Sequence, residues 1–558
     1  MSDFLNTCSS FSTQPLCSDS ESLALLQLKQ SFEINVSDLH NPFAYPKVSS
    51  WNSGKMNECC SWDGVLCDRG TGHVIGLDLS SSYLYGSINS SSSLFHLVHL
   101  QELNLAHNNF KDSQIPPSIR YLSNLTHLNL SYSSFSGQVP PEILELPKLV
   151  FLDLSFNPLI KLQKPGLKSL VENLTNLKLL HLFEVNISSR VPHILANLSS
   201  LMYLGLANCG LYGEFPTEVF KLPKLQFLSV GYNQKLTGYL PEFNSSSPLR
   251  FLSLANSSFS GFIPTSLGHL SNLIYLSLGS NNFGGQIPFS LANLTQLSEL
   301  DLSYNAFNPQ TLSWVGKLPS EYFQIWNFMK VSNFDNLTYM NAFTLTKTPE
   351  VTGIRVNYSM EMTNKGIKTV YEKIQDFLIV VDLSNNRFEG EISEGIGNLK
   401  GLNLLNLSNN ILPGRIPSSL GNLSELESLD LSKNQLSGEI PQQLLQLTFL
   451  GFFNVSNNNL TGPIPQGQQF STFQNNSYLG NTRLCGSPLT KKCKISEIPT
   501  QPPLISKQGE DSKFPSKSDW VVIMMGYGSG LIIGFIIGHN LAIRELEQFA
   551  KKFGRWYR

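Results

Sequence analysis

The chain has 558 residues, which is enough for three or four ordinary domains or for one long repeat array. Its 39 Lys and Arg residues nearly balance its 41 Asp and Glu residues, so no strong global charge indicates binding to nucleic acid or another polyanion. Charged residues make up only 14% of the chain, while Asn, Ser, Leu and Gly are abundant, and this composition is not typical of a cytosolic enzyme.

The chain begins with MSDFLNTCSSFSTQPL, which has neither a basic start nor an apolar stretch of about 7–15 residues. We therefore expect residues 1–16 to be a leader of unclear role rather than a signal peptide, and we favour a truncated or mis-assigned start. Residues 17–73 are predicted to form an N-terminal cap. In this cap, SDSESLALLQLKQSFE offers a capping box of Ser18 and Glu21 followed by an amphipathic helix.

Six of the eight cysteines lie in clusters near the two ends, and Cys8 and Cys209 are left over. No histidine accompanies a cluster at the spacing of metal ligands, so we expect no metal site. Clusters that flank a nearly cysteine-free middle favour disulfides in an oxidising compartment. The clustered cysteines are Cys17, Cys59, Cys60, Cys67, Cys485 and Cys493.

Asn-x-Ser/Thr sequons are frequent and support the same secreted location, although an Asn- and Ser-rich chain also forms many by chance. Three of them, Asn129, Asn406 and Asn454, fall inside predicted strands, where a glycan would block the surface nearby. The predicted glycosylation sites are Asn35, Asn89, Asn124, Asn129, Asn173, Asn186, Asn197, Asn244, Asn256, Asn293, Asn336, Asn357, Asn406, Asn422, Asn454, Asn459 and Asn475.

A unit of about 24 residues with the pattern L-x-x-L-x-L-x-x-N-x-L-x-G-x-I-P recurs fourteen times. The L-x-L part predicts a short strand with inward leucines, and because one unit cannot bury its apolar face alone, the units must stack. The pattern predicts an α/β solenoid, a leucine-rich repeat horseshoe or superhelix with short parallel strands on its concave face and disulfide-capped ends. The fourth position falls at Leu77, Leu103, Leu128, Leu152, Leu180, Leu204, Leu228, Leu252, Leu276, Leu300, Val381, Leu405, Leu429 and Phe453.

The asparagine of the unit is predicted to turn inward and to bond backbone groups where the strand ends. Cys209 occupies this position in LGLANCGL, and we expect it to be an unpaired core thiol rather than a reactive one.

The spacing is interrupted once, between Leu300 and Val381, by an aromatic, mixed-charge stretch that lacks the repeat. It is too rich in Trp, Phe and Tyr to be a plain flexible linker, so we expect a folded island. The predicted order is repeats 1–10 at 74–310, the island at 311–376, repeats 11–14 at 377–468 and a C-terminal cap at 469–493.

The third position of the unit forms an aromatic stripe in repeats 4–9, with Leu179 as its one aliphatic member. Such a stripe can anchor a peptide or a sugar, but aromatics at this position are also common in these repeats and are partly covered by their neighbours. Both interpretations stay open. The candidate ligand-binding residues are Phe151, Tyr203, Phe227, Phe251, Tyr275, His181, Glu184 and Arg250.

The C-terminal part predicts an extracellular juxtamembrane segment at 494–519, a transmembrane helix at 520–543 and a cytosolic tail at 544–558 whose basic excess satisfies the positive-inside rule. Glycine recurs every four residues in this helix. A stripe of this kind lets another helix backbone approach closely, so we expect a helix contact there. The stripe consists of Gly526, Gly530, Gly534 and Gly538.

Several motifs together resemble the plant Cf-type receptor-like proteins: SWNSGKMNECCSWDGVLCDRGTGHVIGLDLS, the L-x-G-x-I-P repeat, an island ending in MTNKGI, and GPIPQGQQFSTFQNNSYLGNTRLCGSPL. The resemblance implies a glycosylated cell-surface ectodomain without a kinase of its own. It also implies disulfides between Cys17 and Cys59, Cys60 and Cys67, and Cys485 and Cys493. The missing signal peptide and the balanced charge of the juxtamembrane segment depart from the family pattern.

The resemblance implies a plasma-membrane receptor for a pathogen-derived or developmental ligand, and we expect a role in plant defence signalling. It would bind an extracellular peptide, protein or glycan and signal through an adaptor or co-receptor kinase. One alternative is an inhibitor-like protein that binds a microbial wall-degrading enzyme, and another is a truncated, non-signalling copy. No kinase signature, nucleophile–base pair or phosphate loop occurs in the sequence, so we expect no catalytic residue, cofactor or nucleic-acid partner.

Overall fold

A computed structural model of the chain describes residues 17–35, 44–52, 58–307, 341–344, 355–357, 360–364, 367–371 and 379–493. These residues belong to a compact unit that ends at Cys493. The predicted leader, the juxtamembrane segment, the glycine-rich segment at 520–543 and the tail lie outside the described residues. Within the described ranges, no helix has the length and apolar character needed to cross a membrane.

Fourteen consecutive parallel strands, one from each predicted repeat, dominate the described residues and confirm the repeat count. A further strand, Val65–Cys67, pairs antiparallel with the first of them. Every predicted fourth-position residue lies within its repeat's strand and is buried, because alternate strand residues point to opposite faces. The strands of repeats 1–14 are Val74–Asp78, Glu102–Asn104, His127–Asn129, Phe151–Asp153, Leu179–His181, Tyr203–Gly205, Phe227–Ser229, Phe251–Ser253, Tyr275–Ser277, Glu299–Asp301, Val380–Asp382, Leu404–Asn406, Ser428–Asp430 and Phe452–Asn454.

The recurring asparagine bonds backbone groups of its own repeat and of the repeat before it, as the sequence predicts. In repeat 4, the Nδ2 of Asn157 donates to the carbonyl oxygens of Leu130 at 2.8 Å and Leu154 at 3.0 Å, and its Oδ1 accepts from the Phe135 N–H at 2.9 Å. Cys209 occupies this place in repeat 6 with its thiol against the Leu182 carbonyl, and burial raises the pKa of that thiol.

The side of each repeat opposite the sheet is built mostly from short 3-10 helices, so the predicted α/β solenoid is largely a β and 3-10 solenoid in the described residues. An extended proline precedes most of these helices and fixes the chain direction at their start. Repeat 4 is longer and has room for an α-helix, Leu167–Asn173. The 3-10 helices of the repeats are Ser93–His96, Pro117–Tyr121, Pro141–Glu145, His193–Asn197, Thr217–Lys221, Thr265–His269, Phe289–Asn293, Glu394–Asn398, Ser418–Asn422 and Gln442–Gln446.

A second set of strands joins neighbouring repeats outside the main sheet. A five-stranded parallel group spans repeats 6–10, and smaller groups lie on either side of it. Their strands are Ser136–Gln138 with Leu159–Lys161, then Tyr212–Glu214, Lys235–Gly238, Ser258–Phe262, Asn282–Gly285 and Ala306–Phe307, then Ser437–Gly438, Asn459–Pro463 and Arg483–Cys485.

The N-terminal cap contains the helix Asp19–Gln30, the antiparallel pair Phe32–Ile34 with Leu84–Gly86, and the 3-10 helix Lys47–Ser50. The predicted capping box is wrong. Ser18 occupies the N-cap position without a side-chain capping bond, because Glu21 is buried and its Oε2 instead accepts the Val74 N–H at 3.2 Å. Glu21 therefore fastens the helix to the first repeat.

Three disulfides join Cys17 to Cys59, Cys60 to Cys67, and Cys485 to Cys493, the pairs that the family resemblance implies. Two further 3-10 helices, Gln468–Ser471 and Asn475–Ser477, belong to the C-terminal cap. Cys209 is buried and unpaired.

The described parts of the island are two antiparallel strand pairs, Asn341–Thr344 with Arg355–Asn357, and Met360–Asn364 with Ile367–Tyr371. The main sheet does not use them. The strand of repeat 10 pairs directly with the strand of repeat 11, in the same register as any other two neighbouring repeats. The island is thus an insertion between two adjacent strands.

Candidate functional site

The outer face of the main sheet is the face that carries the third and fifth residues of each repeat, opposite the leucine core. Its third-position column in repeats 4–9 is the predicted aromatic stripe. Tyr203 stacks on Phe227 with ring centroids 3.9 Å apart, Phe227 on Phe251 at 4.2 Å, and Phe251 on Tyr275 at 4.0 Å. The in-register strand pairing fixes this stacking, because each residue lies beside its counterpart in the next repeat.

The structure favours the second of the two interpretations, in which neighbouring side chains cover the aromatic rings. Phe151, Leu179, Tyr203, Phe227, Phe251 and Tyr275 are each between 0% and 4% exposed. They form an apolar cluster of their own, separate from the leucine core. The column therefore serves mainly to hold the repeats together, and direct ligand contact by these rings would need them to be uncovered.

The other predicted ligand-binding residues are not brought together. His181 is buried, and its Nδ1 lies 3.1 Å from the Oδ2 of Asp153. Burial raises the pKa of Asp153, but His181 and Ser155 outweigh that effect, so this pKa lies below its ordinary value. Asp153 is buried as well. Glu184 is half-buried, and Arg250 is exposed.

The outer face changes character after Tyr275. In repeats 10–12 and 14, the third position holds Glu299, Val380, Leu404 and Phe452, and a cavity of about 350 Å³ lies over this part of the sheet. Fifth-position side chains form its second wall, and residues that directly precede the asparagine position of a repeat form its rim. The fifth-position lining residues are Asp301, Asp382, Asn406, Asp430 and Asn454, and the rim residues are Tyr232, Asn256, Ser280, Tyr304 and Asn385.

Glu299 is the most unusual residue of this cavity. It is 2% exposed, and neither of its carboxylate oxygens has a hydrogen-bond partner among the described residues. Burial and the nearby charge of Asp301 raise its pKa well above the ordinary value. Burial also raises the pKa of the neighbouring Tyr275. An unpaired carboxyl in such a place costs folding free energy, which is unusual in a region that otherwise satisfies its polar groups.

Asp301 and Asp382 lie side by side on adjacent strands. One oxygen of each carboxylate caps a turn, accepting the N–H of Ser303 at 3.0 Å and of Ser384 at 2.9 Å. Burial and the charge of Asp301 together raise the pKa of Asp382 to about 7. The cavity floor thus carries more carboxyl groups than it can keep ionised at neutral pH without a counter-charge.

Sequence reasoning missed most of this site. Glu299, Tyr232 and Tyr304 are not among the ligand-binding residues predicted from the sequence. The two tyrosines share a position that the repeat pattern could have indicated, because each directly precedes the repeat asparagine. The backbone there has a positive φ, 57° at Tyr232 and 49° at Tyr304. A side chain at this recurring left-handed position stands at the edge of the outer face.

Two groups among the described residues bring three or more potential metal-ligand atoms within 4.8 Å of one another. One is the set of disulfide-bonded cysteines near the N-terminus. The other is Glu21, His73 and His99, where the Nδ1 of His73 lies 3.4 Å from the Oε2 of Glu21. The carboxylates of the cavity are not gathered in this way.

The structure also divides the predicted glycosylation sites. Asn129 and Asn406 are buried, and the Oδ1 of each accepts a hydrogen bond from the N–H of the serine two residues later. A glycan is attached at the Nδ2 of asparagine, and because these two side chains are buried in strands, we do not expect Asn129 or Asn406 to carry one. Asn336 lies outside the described residues, and only the backbone of Asn357 is described. The exposed sites are Asn35, Asn89, Asn173, Asn197, Asn244, Asn293, Asn422, Asn459 and Asn475, and the half-buried ones are Asn124, Asn186, Asn256 and Asn454.

Comparison with known families agrees with the repeat architecture. The family described as "Leucine rich repeat N-terminal domain" matches residues 18–68. Two families described as leucine-rich repeats match residues 247–307 and the segments 99–122, 124–146, 377–399, 401–423 and 425–447.

Two solved receptor structures are similar to the chain. The plant peptide hormone receptor RGFR1, solved in complex with RGF2, is 26% identical with a TM-score of 0.50, over 77% of this chain and 65% of that one. The TDR receptor is 26% identical with a TM-score of 0.53, over 72% of this chain and 58% of that one.

Sequence relatives include Receptor-like protein 6 of Arabidopsis thaliana, 39% identical over 283 residues, which cover 48% of this chain and 28% of that protein. Receptor-like protein Cf-9 of Solanum pimpinellifolium is 35% identical over 268 residues, which cover 46% of this chain and 30% of that protein. The chain thus spans less than a third of the length of these relatives. The repeats and the caps show a leucine-rich repeat protein, and the relatives that it resembles are plant receptor-like proteins, among them one of the Cf type.

Proposed function

We propose that this chain is a membrane-anchored receptor in plant defence that binds an extracellular ligand and signals through a partner receptor kinase. The observation that carries the proposal is the outer face: one continuous parallel sheet on which a cavity of about 350 Å³ opens among side chains of changing chemistry. This volume is typical of pockets that enclose part of a ligand. The similar receptor RGFR1 was solved in complex with RGF2, and we extend peptide or protein binding to this chain by analogy.

Ligand binding can be tested at the cavity rim. Ser280 lines the cavity at a left-handed backbone position, φ 55°, and Lys433 adopts the same conformation at the equivalent position of repeat 13. Ser280→Lys should therefore fold while obstructing the cavity. The matched control is Asn208→Lys, at the same position of repeat 6 and exposed.

The full chain would be expressed in leaves behind a secretory leader, and the oxidative burst would be recorded after treatment with peptide fractions from infected leaf fluid. We expect Ser280→Lys to abolish a response that Asn208→Lys retains. Equal responses from both variants would contradict ligand binding at this cavity.

Kinase docking is proposed at the glycine stripe of the sequence, because small residues on one helix face permit close packing of helices in a membrane. The change is Gly530→Leu with Gly534→Leu in the full chain, and the measurement is co-precipitation of receptor kinases from leaf membranes. We expect the double variant to lose the kinase. Gly528→Leu, which lies off the stripe, should keep it. Retention of the kinase by the double variant would refute docking through the stripe.

A further inference from the structure

We propose that the cavity on repeats 9–14 binds a guanidinium group, the side chain of an arginine in the ligand, with Glu299 as its principal acceptor. This inference rests on the proposed function, since the arginine would belong to the extracellular ligand. It adds to that function the chemical group that the receptor recognises.

Glu299 supplies the first argument. It stands in the column that holds stacked aromatic rings in the preceding repeats and valine or leucine in the next two, so an apolar side chain fits there. Instead, the position holds a carboxyl that is 2% exposed, lines the cavity and lacks a hydrogen-bond partner among the described residues. An orphaned buried acceptor of this kind is satisfied when a donor enters the cavity.

The remaining lining supplies the second argument. Asp301, Asp382 and Asp430 extend the acidic character across three further strand positions, and no Lys, Arg or His is found among the described lining residues. Each aspartate already uses one oxygen in its own turn. The second oxygen of Asp301 accepts from Ser277 at 2.9 Å and that of Asp382 from Asn406 at 3.1 Å. Among the described lining carboxyls, Glu299 is therefore the one whose oxygens lack a hydrogen-bond partner, and the lining offers it no basic side chain.

The spacing of these groups favours an extended organic cation over a metal ion. Metal binding needs several ligand atoms close together, and the cavity carboxylates do not form such a group. A guanidinium has five donors in a planar fork and can bond carboxylates that are separated from one another. Its plane also stacks on aromatic rings, and Tyr232, Tyr304 and Phe452 line the same cavity.

Proton release should accompany binding. Burial, followed by the charge of Asp301, raises the pKa of Glu299, so this carboxyl holds a proton more readily than an exposed one. The ionisable groups around it are Asp301 on its own strand, Tyr275 on the strand before and Asp382 on the strand after, none of which supplies a positive charge. A bound guanidinium favours the ionised form, and affinity should therefore rise as the pH increases.

The test uses the purified full chain and a fluorescein-labelled Gly-Arg-Gly amide, with binding followed by fluorescence anisotropy. Its neutral counterpart carries citrulline, which has nearly the same shape without the charge, and a third probe carries lysine. We expect the arginine probe to bind at least about tenfold more tightly than either, since losing a charged hydrogen-bonded pair costs at least one factor of ten. Glu299→Gln should remove this preference.

The matched control is Glu102→Gln, because Glu102 occupies the same third position in repeat 2 and lies outside the cavity. A second variant, Glu299→Leu, separates binding from folding. It replaces the carboxyl by the residue found at Leu404, so we expect a higher melting temperature together with loss of the arginine probe.

Equal affinity for arginine and citrulline, or an unchanged preference in Glu299→Gln, would overturn the proposal. Equal affinity for arginine and lysine would overturn the assignment to a guanidinium. The probe assay needs neither a kinase nor the natural ligand. If Ser280→Lys abolishes the leaf response while the arginine probe fails to bind, receptor function stands and the guanidinium site is refuted.

Discussion

Asp301 and Asp382 are paired in register on neighbouring parallel strands, although the whole island lies between them in the sequence. Two carboxylates are thereby fixed side by side on a partly buried surface. Like charges at this separation oppose each other's ionisation, and burial adds to the effect. The pair links the chemistry of the cavity to the stability of the fold.

The pH dependence of the protein's stability should reveal the ionisation of Asp382 beside Asp301. Burial and the charge of Asp301 raise the pKa of Asp382 from 3.8 to about 7 in the folded protein. Between these two values the folded state binds more protons than the unfolded state, so this group's contribution to stability falls as the pH rises through that window. We expect Asp382→Asn to raise the melting temperature by about 1–3 °C near pH 7.5 and to change it little near pH 4.

Asparagine is a suitable replacement because Asn406 occupies the same column in the next repeat and caps its turn in the same way. Thermal unfolding of both proteins at the two pH values gives the comparison. An equal shift at both pH values would show that ionisation of Asp382 does not contribute.

Close packing between successive 3-10 helices should make Gly268 irreplaceable. A Cβ at Gly268 would lie 2.1 Å from the backbone oxygen of Ser290 in the next repeat, and one at Gly421 would lie 2.4 Å from that of Gln443. Because these contacts are with backbone atoms, relief requires the repeats to separate. We expect Gly268→Ala to lower the free energy of unfolding by about 1–3 kcal/mol in urea denaturation.

Gly284→Ala is the control for this effect, since its Cβ would make an ordinary contact of 3.6 Å with the Ala306 oxygen. It should leave stability unchanged or slightly higher. Equal destabilisation by both alanines would argue against steric contact between repeats.

Among the recurring asparagines of the repeats, the most deeply buried one should contribute strongly to the stability of the fold. Asn157 is 0% exposed and bonds backbone groups on two repeats, including the Leu130 oxygen at 2.8 Å. Asn157→Ala leaves several buried groups without partners, and we expect a loss of about 3 kcal/mol or more in the free energy of unfolding. Asn176→Ala, on the surface, should change it by less than about 0.5 kcal/mol. A small effect at Asn157 would mean that water replaces its amide.

Glycan mapping provides a separate check on the surface. If the full chain is passed through the secretory pathway, we expect glycans at exposed sequons such as Asn173 and Asn422 and none at Asn129 or Asn406, whose amides are buried in strands. Peptide mass spectrometry after enzymatic deglycosylation in heavy-oxygen water would show which asparagines were modified. A glycan on Asn129 would contradict the burial of that side chain in its strand.

The sequence predicts the features that depend on one repeat and its nearest copy. The position of Leu152 in its strand, the inward turn of Asn157 and the buried thiol of Cys209 all follow from a periodic pattern, and the structure confirms them. Periodicity alone also places the strand of repeat 10 beside that of repeat 11.

Features that depend on particular neighbours were not predictable in the same way. Glu21 matches a capping motif, but the Val74 N–H of a distant segment competes for its carboxylate. The Tyr203 and Phe227 rings look accessible on a strand and become buried within a stack. Glu299 has no distinguishing local motif, because its environment is created by the neighbouring Asp301 and by a strand from beyond the island.

The bonds that close the sheet across the island have a wider consequence. The Leu302 N–H donates to the Asp382 oxygen, and the Asn386 amide donates to the Leu302 oxygen, as between any two adjacent repeats. Repeats 10 and 11 thus form their hydrogen bonds to each other without the inserted residues. The island can therefore change in length and sequence while the strands that carry Glu299 and Asp382 stay paired. The sheet beneath the pocket can keep its hydrogen bonds while the inserted sequence changes.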